Sequence, residues 1–189
     1  MLRAGRDSDA AGFIALISTC WAEYPGCVFD LDGEVPELRA LASYFAAQDG
    51  ALWVAEEAGA VVGMVAVHPL PGTLDWEVCR MYVAANQRGT GVAAALLGAA
   101  EAHARQAGAE VMRLWSDTRF TRAHTFYAKL GYVRQGPIRV LNDLSNSLEF
   151  PFFKPARGVA VHHLRHFAQV DRLAGLHAEL QLVGLAPFK

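Results

Sequence analysis

Apolar positions along the chain fall into two regimes, one at helical spacing and one in strand-like runs. Phe13, Ile14, Leu16, Ile17 and Trp21 recur every three or four residues and predict an amphipathic helix. Asp7, Ser8 or Asp9 stands where its cap is needed, after a short first strand within residues 1–6. Tyr24-Pro25-Gly26-Cys27 closes this helix with turn residues, and Pro36 opens a second one carrying Leu38, Leu41, Ala42 and Phe45. From Ala51 the period shortens. Residues 52–56, 61–67 and 75–83 read as strands, separated by turns near Ala58-Gly59 and at Pro69, Pro71 and Gly72, and so as an antiparallel meander. Helical spacing returns over 91–106, with Gly108 as its C-terminal cap. A strand over 111–115, a helix over 121–130 stopped by Gly131, a strand starting at Tyr132-Val133 and an aromatic-rich strand over 147–153 complete the pattern up to Pro155.

Beyond Pro155 the pattern changes again. Leu164, Phe167, Val170, Leu173, Leu176, Leu180 and Val183 predict a helical extension over 156–189, attached to a domain of residues 1–155 and docking on it or on a second copy as a homodimer. His162 and His166 are four apart, a zinc-compatible spacing, but no third ligand accompanies them and no metal site is expected. The length of 189 residues suits one domain, and an apolar share of 53% supplies a full core. A net charge of -2 provides no basic field for nucleic acid. The apolar runs fall short of the roughly 20 residues a membrane span needs. Cys20, Cys27 and Cys79 lack paired ligand spacing and no signal peptide precedes them, so they read as reduced thiols of a cytoplasmic protein.

The candidate chemistry centres on residues 79–97, a strand, a spacer, a basic residue, a glycine turn and an alanine/leucine helix. Glycines at a helix start aim several backbone N–H groups and the positive end of the helix dipole at one point, which suits a phosphate. A P-loop needs lysine followed by Ser or Thr after the last glycine, and Ala93-Ala94 stand there instead. Gly89-Thr90-Gly91-Val92-Ala93-Ala94 fits G-x-G-x-x-A of a dinucleotide fold, with Asp117 in the place of its ribose-binding acid. In that fold, however, the strand runs almost straight into the first glycine and the sheet is parallel, whereas residues 84–88 intervene here and the preceding strands read as antiparallel.

Arg88-Gly89-Thr90-Gly91-Val92-Ala93 fits R-x-x-G-x-A after Met81-Tyr82-Val83. Ala123-His124-Thr125-Phe126-Tyr127-Ala128-Lys129-Leu130-Gly131-Tyr132 fits A-x-x-F-Y-x-x-x-G-[FY]. The pair at this distance resembles the acetyl-CoA signature of the GNAT superfamily of N-acetyltransferases, and the resemblance in element order covers about four-fifths of the chain. It implies a mixed α/β (α+β) fold: a central, mostly antiparallel sheet splayed between two parallel strands and flanked by helices. It also implies transfer of an acetyl group from acetyl-CoA to an amine, on a small molecule or on a protein amino terminus or lysine. A CoA-binding domain without catalysis is the other reading.

The resemblance further implies roles for single residues. The amides of Arg88, Gly89, Thr90, Gly91, Val92 and Ala93 would hold the pyrophosphate. Met81, Tyr82 and Val83 would line the pantetheine arm, with residues 111–116 as the opposite lip and an N–H near Met81 or Tyr82 facing the developing oxyanion. Tyr127 would be the general acid toward the departing thiolate, and Glu77 the base that frees the amine. Alternation puts Glu77, Cys79, Met81 and Val83 on one strand face, with Trp76, Arg80 and Tyr82 on the other, unless a bulge intervenes. Phe120 departs from the pattern, replacing an Asn that contacts the cofactor ahead of the position of Ala123. Arg119, Arg122 and Lys129 would either reach the cofactor's 3′-phosphate or stand as charges on a solvated helix face. The first two helices and their connection would wall the acceptor, placing Trp21, Tyr24, Phe29, Asp30, Asp32 and Glu34 there, carboxylates beside aromatics, as a cationic amine requires. Asp30-x-Asp32-Gly33-Glu34 lacks the remaining ligands of a calcium loop, and Cys79 lacks a neighbouring base that would make it a nucleophile.

Overall fold

The computed structural model describes residues 1–157. The extension expected over 156–189, with its histidines and its docking surface, therefore lies outside the described residues except for its first two. Strand β1 (Leu2–Ala4) leads through a 3-10 turn into helix α1 (Ala10–Ala22). Asp9 occupies the N-cap of α1 but makes no side-chain cap. Its carboxylate turns back to the Arg6 N–H (2.9 Å) and the Arg3 guanidinium (2.8 Å), tying β1 to the helix start instead. The second helix is divided. A 3-10 stretch (Pro36–Ala40) breaks at Ala40 (φ -146°, ψ 50°) before α2 (Leu41–Ala46), yet Leu38, Leu41 and Phe45 still share the buried face.

The meander is β2 (Ala51–Glu57), β3 (Ala60–Pro69) and β4 (Asp75–Val83). Helix α3 (Val92–Gln106), β5 (Val111–Asp117), α4 (Thr121–Lys129) and strands β6 (Val133–Arg134), β7 (Arg139–Val140) and β8 (Leu148–Pro155) follow. They form one sheet in the order β1-β2-β3-β4-β5-β8-β6, with β7 also on β8; β4 and β5 alone run parallel. Apolar side chains leave both faces of the central strands. Val54, Met64 and Ala66 pack with Phe13, Ile17, Leu38 and Leu41 on one side. Val65, Val67 and Val78 pack with Leu96, Leu97, Ala100, Tyr127 and Phe152 on the other. The sheet is thus the middle of three layers. No helix among the described residues is long and apolar enough to cross a membrane.

Two local features shape the site. The first is a bulge in β4. Ala66 pairs with Cys79 and Met64 with Tyr82, so Val65 alone opposes Arg80 and Met81, and Arg80 sits at φ 50°. An extra residue flips the alternation. Trp76 and Val78 belong to the α3 side and so do Met81 and Val83, while Cys79 and Tyr82 belong to the α1 side. The simple alternation is therefore corrected: Met81 and Val83 lie opposite Cys79, and Tyr82 joins it. The second feature is a splay. Parallel pairing of β4 with β5 is confined to Asp75–Val111, Trp76–Met112 and Glu77–Arg113, and beyond it the strands part. Residues 111–113 are used in pairing, so the far lip of the opening begins at Leu114.

Candidate active site

The spacer after β4 forms a 3-10 turn (Ala85–Gln87), and the chain then reaches Gly89 at φ 81° and Gly91 at φ 95°. These left-handed values suit glycine, and a Cβ on either would meet nothing within 4 Å, so an anion can approach the backbone there. The first bond of the helix runs from Ala95 N–H to Gly91 C=O (3.0 Å), leaving the preceding amides at the dipole's positive end. Two of the expected amides are used differently. Arg88 N–H turns to Ala85 C=O (3.3 Å) and Thr90 N–H to Gln87 C=O (3.5 Å), which leaves the amides of Gly89, Gly91, Val92 and Ala93 at the turn. The Arg88 guanidinium is also engaged. It holds Glu23 through two 2.6 Å bonds and donates to Val83 C=O (3.3 Å). Bonding to Glu23 raises its pKa above the usual arginine value, while the Glu23 carboxyl is held below the usual carboxylate range by Arg88.

A cleft of about 440 Å³ runs from this turn along the splayed edge, past Met81, Tyr82, Val83 and Ala93 to Ala123 and Tyr127. Arg122 and Lys129 line it, whereas Arg119 is drawn away to Asp117 (2.8 Å) and the Ser147 hydroxyl (3.1 Å). Tyr127 is 6% exposed. Its ring is fixed by Phe126 (5.5 Å), Tyr132 (5.8 Å) and Phe152 (5.8 Å), and burial pushes its phenol well above the ordinary range, so it keeps its proton at neutral pH. His124, inside the same motif, is tied to Asp117 C=O (2.9 Å), and burial lowers its pKa.

A second cleft, of about 660 Å³, opens on the other side of β4. The two share Trp21, Tyr82 and Phe120 as a waist. Trp21 Nε1–H donates to the Tyr82 oxygen (2.9 Å), which leaves the Tyr82 O–H free to donate in turn, and Phe120 packs tilted against Tyr24 (4.5 Å between ring centres). The wider cleft is anionic, with Glu34, Glu77, Asp117, Asp143 and Glu149 against Arg80 and Arg139, and its walls are aromatic. Arg139 pairs with Glu149 (2.6 Å) and lies over the Trp115 ring (4.3 Å); Arg80, at the bulge, pairs with Glu37. Burial pushes the Glu149 carboxyl up against the pull of Arg139, with Asp117 and Glu77 adding to the rise. Among the described residues no cation pairs with Glu77, whose side chain meets the Cys79 thiol (3.7 Å). Burial, then Glu77, push that thiol up, away from the thiolate form a nucleophile needs.

Of the six residues expected to wall an acceptor, Trp21 and Glu34 line this cleft; Tyr24 lines the narrower one. Phe29 packs edge-on against Trp21 (5.8 Å). Asp30 accepts from the N–H groups of Asp32 (3.1 Å) and Gly33 (3.0 Å), and Asp32 pairs with Arg39, so these two carboxylates build and brace their own loop. Besides Glu34 and Glu77, the cleft is lined by acids that the sequence reading did not assign to the acceptor, Asp117, Asp143 and Glu149. Asp117 and Glu149 are register partners on β5 and β8, and no spacing within one segment announces a pair 32 positions apart. The visible signal was Glu149 itself, a lone acid in an aromatic-rich strand.

A family model described as the acetyltransferase (GNAT) family matches residues 13–132. No curated protein matches the sequence. Among solved structures the chain resembles an acetyltransferase of the GNAT family from Staphylococcus aureus Mu50, at TM-score 0.71 and 15% identity over 83% of this chain and 99% of that one. It resembles an acetyltransferase from Salmonella typhimurium with its cofactor acetyl-CoA, at TM-score 0.67 and 15% identity over 85% and 96%. It also resembles an aminoglycoside 6′-N-acetyltransferase complexed with coenzyme A, at TM-score 0.64 and 15% identity over 85% and 99%. At such identities the likeness is one of fold.

Proposed function

Because the chain belongs to the acetyltransferase (GNAT) family, we propose that it acetylates the amine of a small cationic molecule with acetyl-CoA, by direct attack. One observation carries this reading. A cleft that begins at the glycine turn, beside Gly89 and Ala93, meets an anionic, aromatic-walled cleft at a shared waist of Trp21, Tyr82 and Phe120. In this reading the free amides of Gly89, Gly91, Val92 and Ala93 take the pyrophosphate, and Arg122 and Lys129 face its outer phosphate. The unpaired edge of Met81, Tyr82 and Val83 takes the pantetheine arm as an added strand. Acetyl-CoA supplies an acetyl thioester whose carbonyl oxygen gains negative charge as the amine adds. A backbone N–H freed by the β4 bulge stabilises that charge. Glu77, on the acceptor side, takes the ammonium proton, and Tyr127, on the cofactor side, gives a proton to the leaving sulfur.

The acceptor's size follows from how the wider cleft is closed. The Ser145 hydroxyl accepts from Val28 N–H (2.8 Å) and Glu34 accepts from Leu144 N–H (2.5 Å), so the loop after α1 and the loop before β8 are tied together beside it. The bounded volume is that of a small-ligand pocket, which supports a small molecule over the side chain of a folded protein. Acetyl-CoA at 100 times its Kd should raise unfolding stability by about 2.7 kcal/mol in thermal melts. Release of free thiol should then depend on added amine and favour substrates carrying a second positive charge. Stabilisation without amine-dependent thiol release would reduce the protein to a CoA-binding domain.

A further inference from the structure

His68, Glu77 and Cys79 stand together in the wider cleft. His68 and Glu77 face each other across the β3–β4 ladder, Cys79 follows two positions on, and one ligand atom from each lies within 4.8 Å of the other two. We propose that these three side chains bind a zinc-class divalent transition-metal ion, with its fourth position open to the cleft. Imidazole, carboxylate and thiolate together make the mixed donor set that zinc-class ions accept, whereas magnesium and calcium call for oxygen ligands alone. His68 Nδ1 lies 3.1 Å from Pro69 C=O; in the tautomer that donates there, Nε2 is the metal-binding nitrogen, and ligating histidines are commonly fixed by such a bond on the other ring nitrogen.

Metal–ligand bonds of about 2.0–2.3 Å in a tetrahedron bring the ligand atoms to about 3.5 Å from one another, so these side chains have to draw in by roughly 1 Å. They are half-buried on paired strands, where side-chain rotation covers that distance without moving the sheet. On binding, the Cys79 sulfur exchanges its proton for the metal bond and the proton leaves to water. Glu149 and Asp117, lining the same cleft, add to its negative charge. The trio was invisible in the sequence because His68 is nine positions from Glu77 and strand pairing alone unites them. An ion here occupies the place where the amine would meet Glu77, so it should compete with the acceptor. That competition rests on the function proposed above; the binding itself does not.

The test titrates the reduced full chain with Co²⁺ and then displaces it with Zn²⁺. The expected result is one equivalent bound with a sulfur-to-cobalt charge-transfer absorption that zinc removes. Cys79→Ser should abolish that band although Cys20 and Cys27 remain, and His68→Asn should weaken cobalt binding at least about tenfold. A parent protein without the band overturns the proposal without recourse to any variant. So does a band that persists in folded Cys79→Ser, because the sulfur then belongs to another cysteine.

Discussion

Tyr127→Phe is expected to lower kcat by about 10²–10⁴-fold, the usual worth of a positioned acid or base, with little change in the KM for acetyl-CoA. The substitution removes one oxygen and keeps the ring that Phe126, Tyr132 and Phe152 hold in place, so the cleft keeps its shape. What is lost is a proton donor whose burial keeps it protonated through neutral pH. The sign follows: because the phenol's pKa is raised, its acid form persists into alkaline solution, and any loss of kcat near neutrality must come from another group. Steady-state rates of parent and variant across pH measure this. A kcat unchanged at every pH would remove Tyr127 from the chemistry. Tyr82, at the waist with its O–H free to donate, would then be the group to replace next.

Leu96→Ala should be the most damaging single change beneath the cradle, costing about 3–5 kcal/mol in unfolding stability. Leu96 is fully buried between α3 and the sheet. Opposite it, a Cβ on Gly63 would lie 2.9 Å from Leu96 Cδ1 and 3.3 Å from Val92 Cγ1. Gly63 thus lets the start of α3 sit down on β3, which sets where the free amides point. Gly63→Ala alone should cost about 1–3 kcal/mol by overpacking. The two together should cost less than their sum by about 1 kcal/mol, because the new methyl enters the space the leucine leaves. Urea unfolding of the four proteins completes the cycle. Strict additivity would mean that this contact does not seat the helix. Gly63→Ala should also weaken acetyl-CoA binding, since it lifts the first turn of α3 where the cradle lies.

The parts of this molecule that the sequence disclosed were those encoded locally. Helical spacing from Phe13 to Trp21, the meander beginning at Ala51 and the glycine turn at Gly89 and Gly91 each declare themselves within a dozen residues. The narrower cleft is lined mainly by residues 81–93 and 120–129, with Cys20, Trp21 and Tyr24 from the end of α1, so most of its lining lies in two local segments. Even there, local hydrogen bonding redirected details: the amides of Arg88 and Thr90 serve their own turn, and the Arg88 side chain holds Glu23.

Of the residues expected to wall an acceptor, Trp21 and Glu34 line the wider cleft, and Asp30 and Asp32 do not. An anionic, aromatic wall was expected from Asp30, Asp32 and Glu34, because a run of acids in one loop is what a sequence makes conspicuous. Asp30 and Asp32 are consumed by the turn they form. Beside Glu34 and Asp143 from loops, the cleft is lined by Glu77, Asp117 and Glu149 from β4, β5 and β8, brought together by strand order and by the parting of β4 from β5 beyond Glu77. A bulge in this strand was allowed for, but its place at Arg80 was hidden, since a non-glycine residue at φ 50° carries no local signature.

The central claim, that two clefts meeting at one waist transfer acetyl to a cationic amine, is tested most directly by initial rates of thiol release. Acetyl-CoA is supplied at saturation and an amine panel is matched with isosteric alcohols. Saturable release with cationic amines, none with the alcohols, and loss of that release in Glu77→Gln is the predicted result. Acetyl-CoA binding with no amine-dependent release, or equal rates for amines and alcohols, would contradict it.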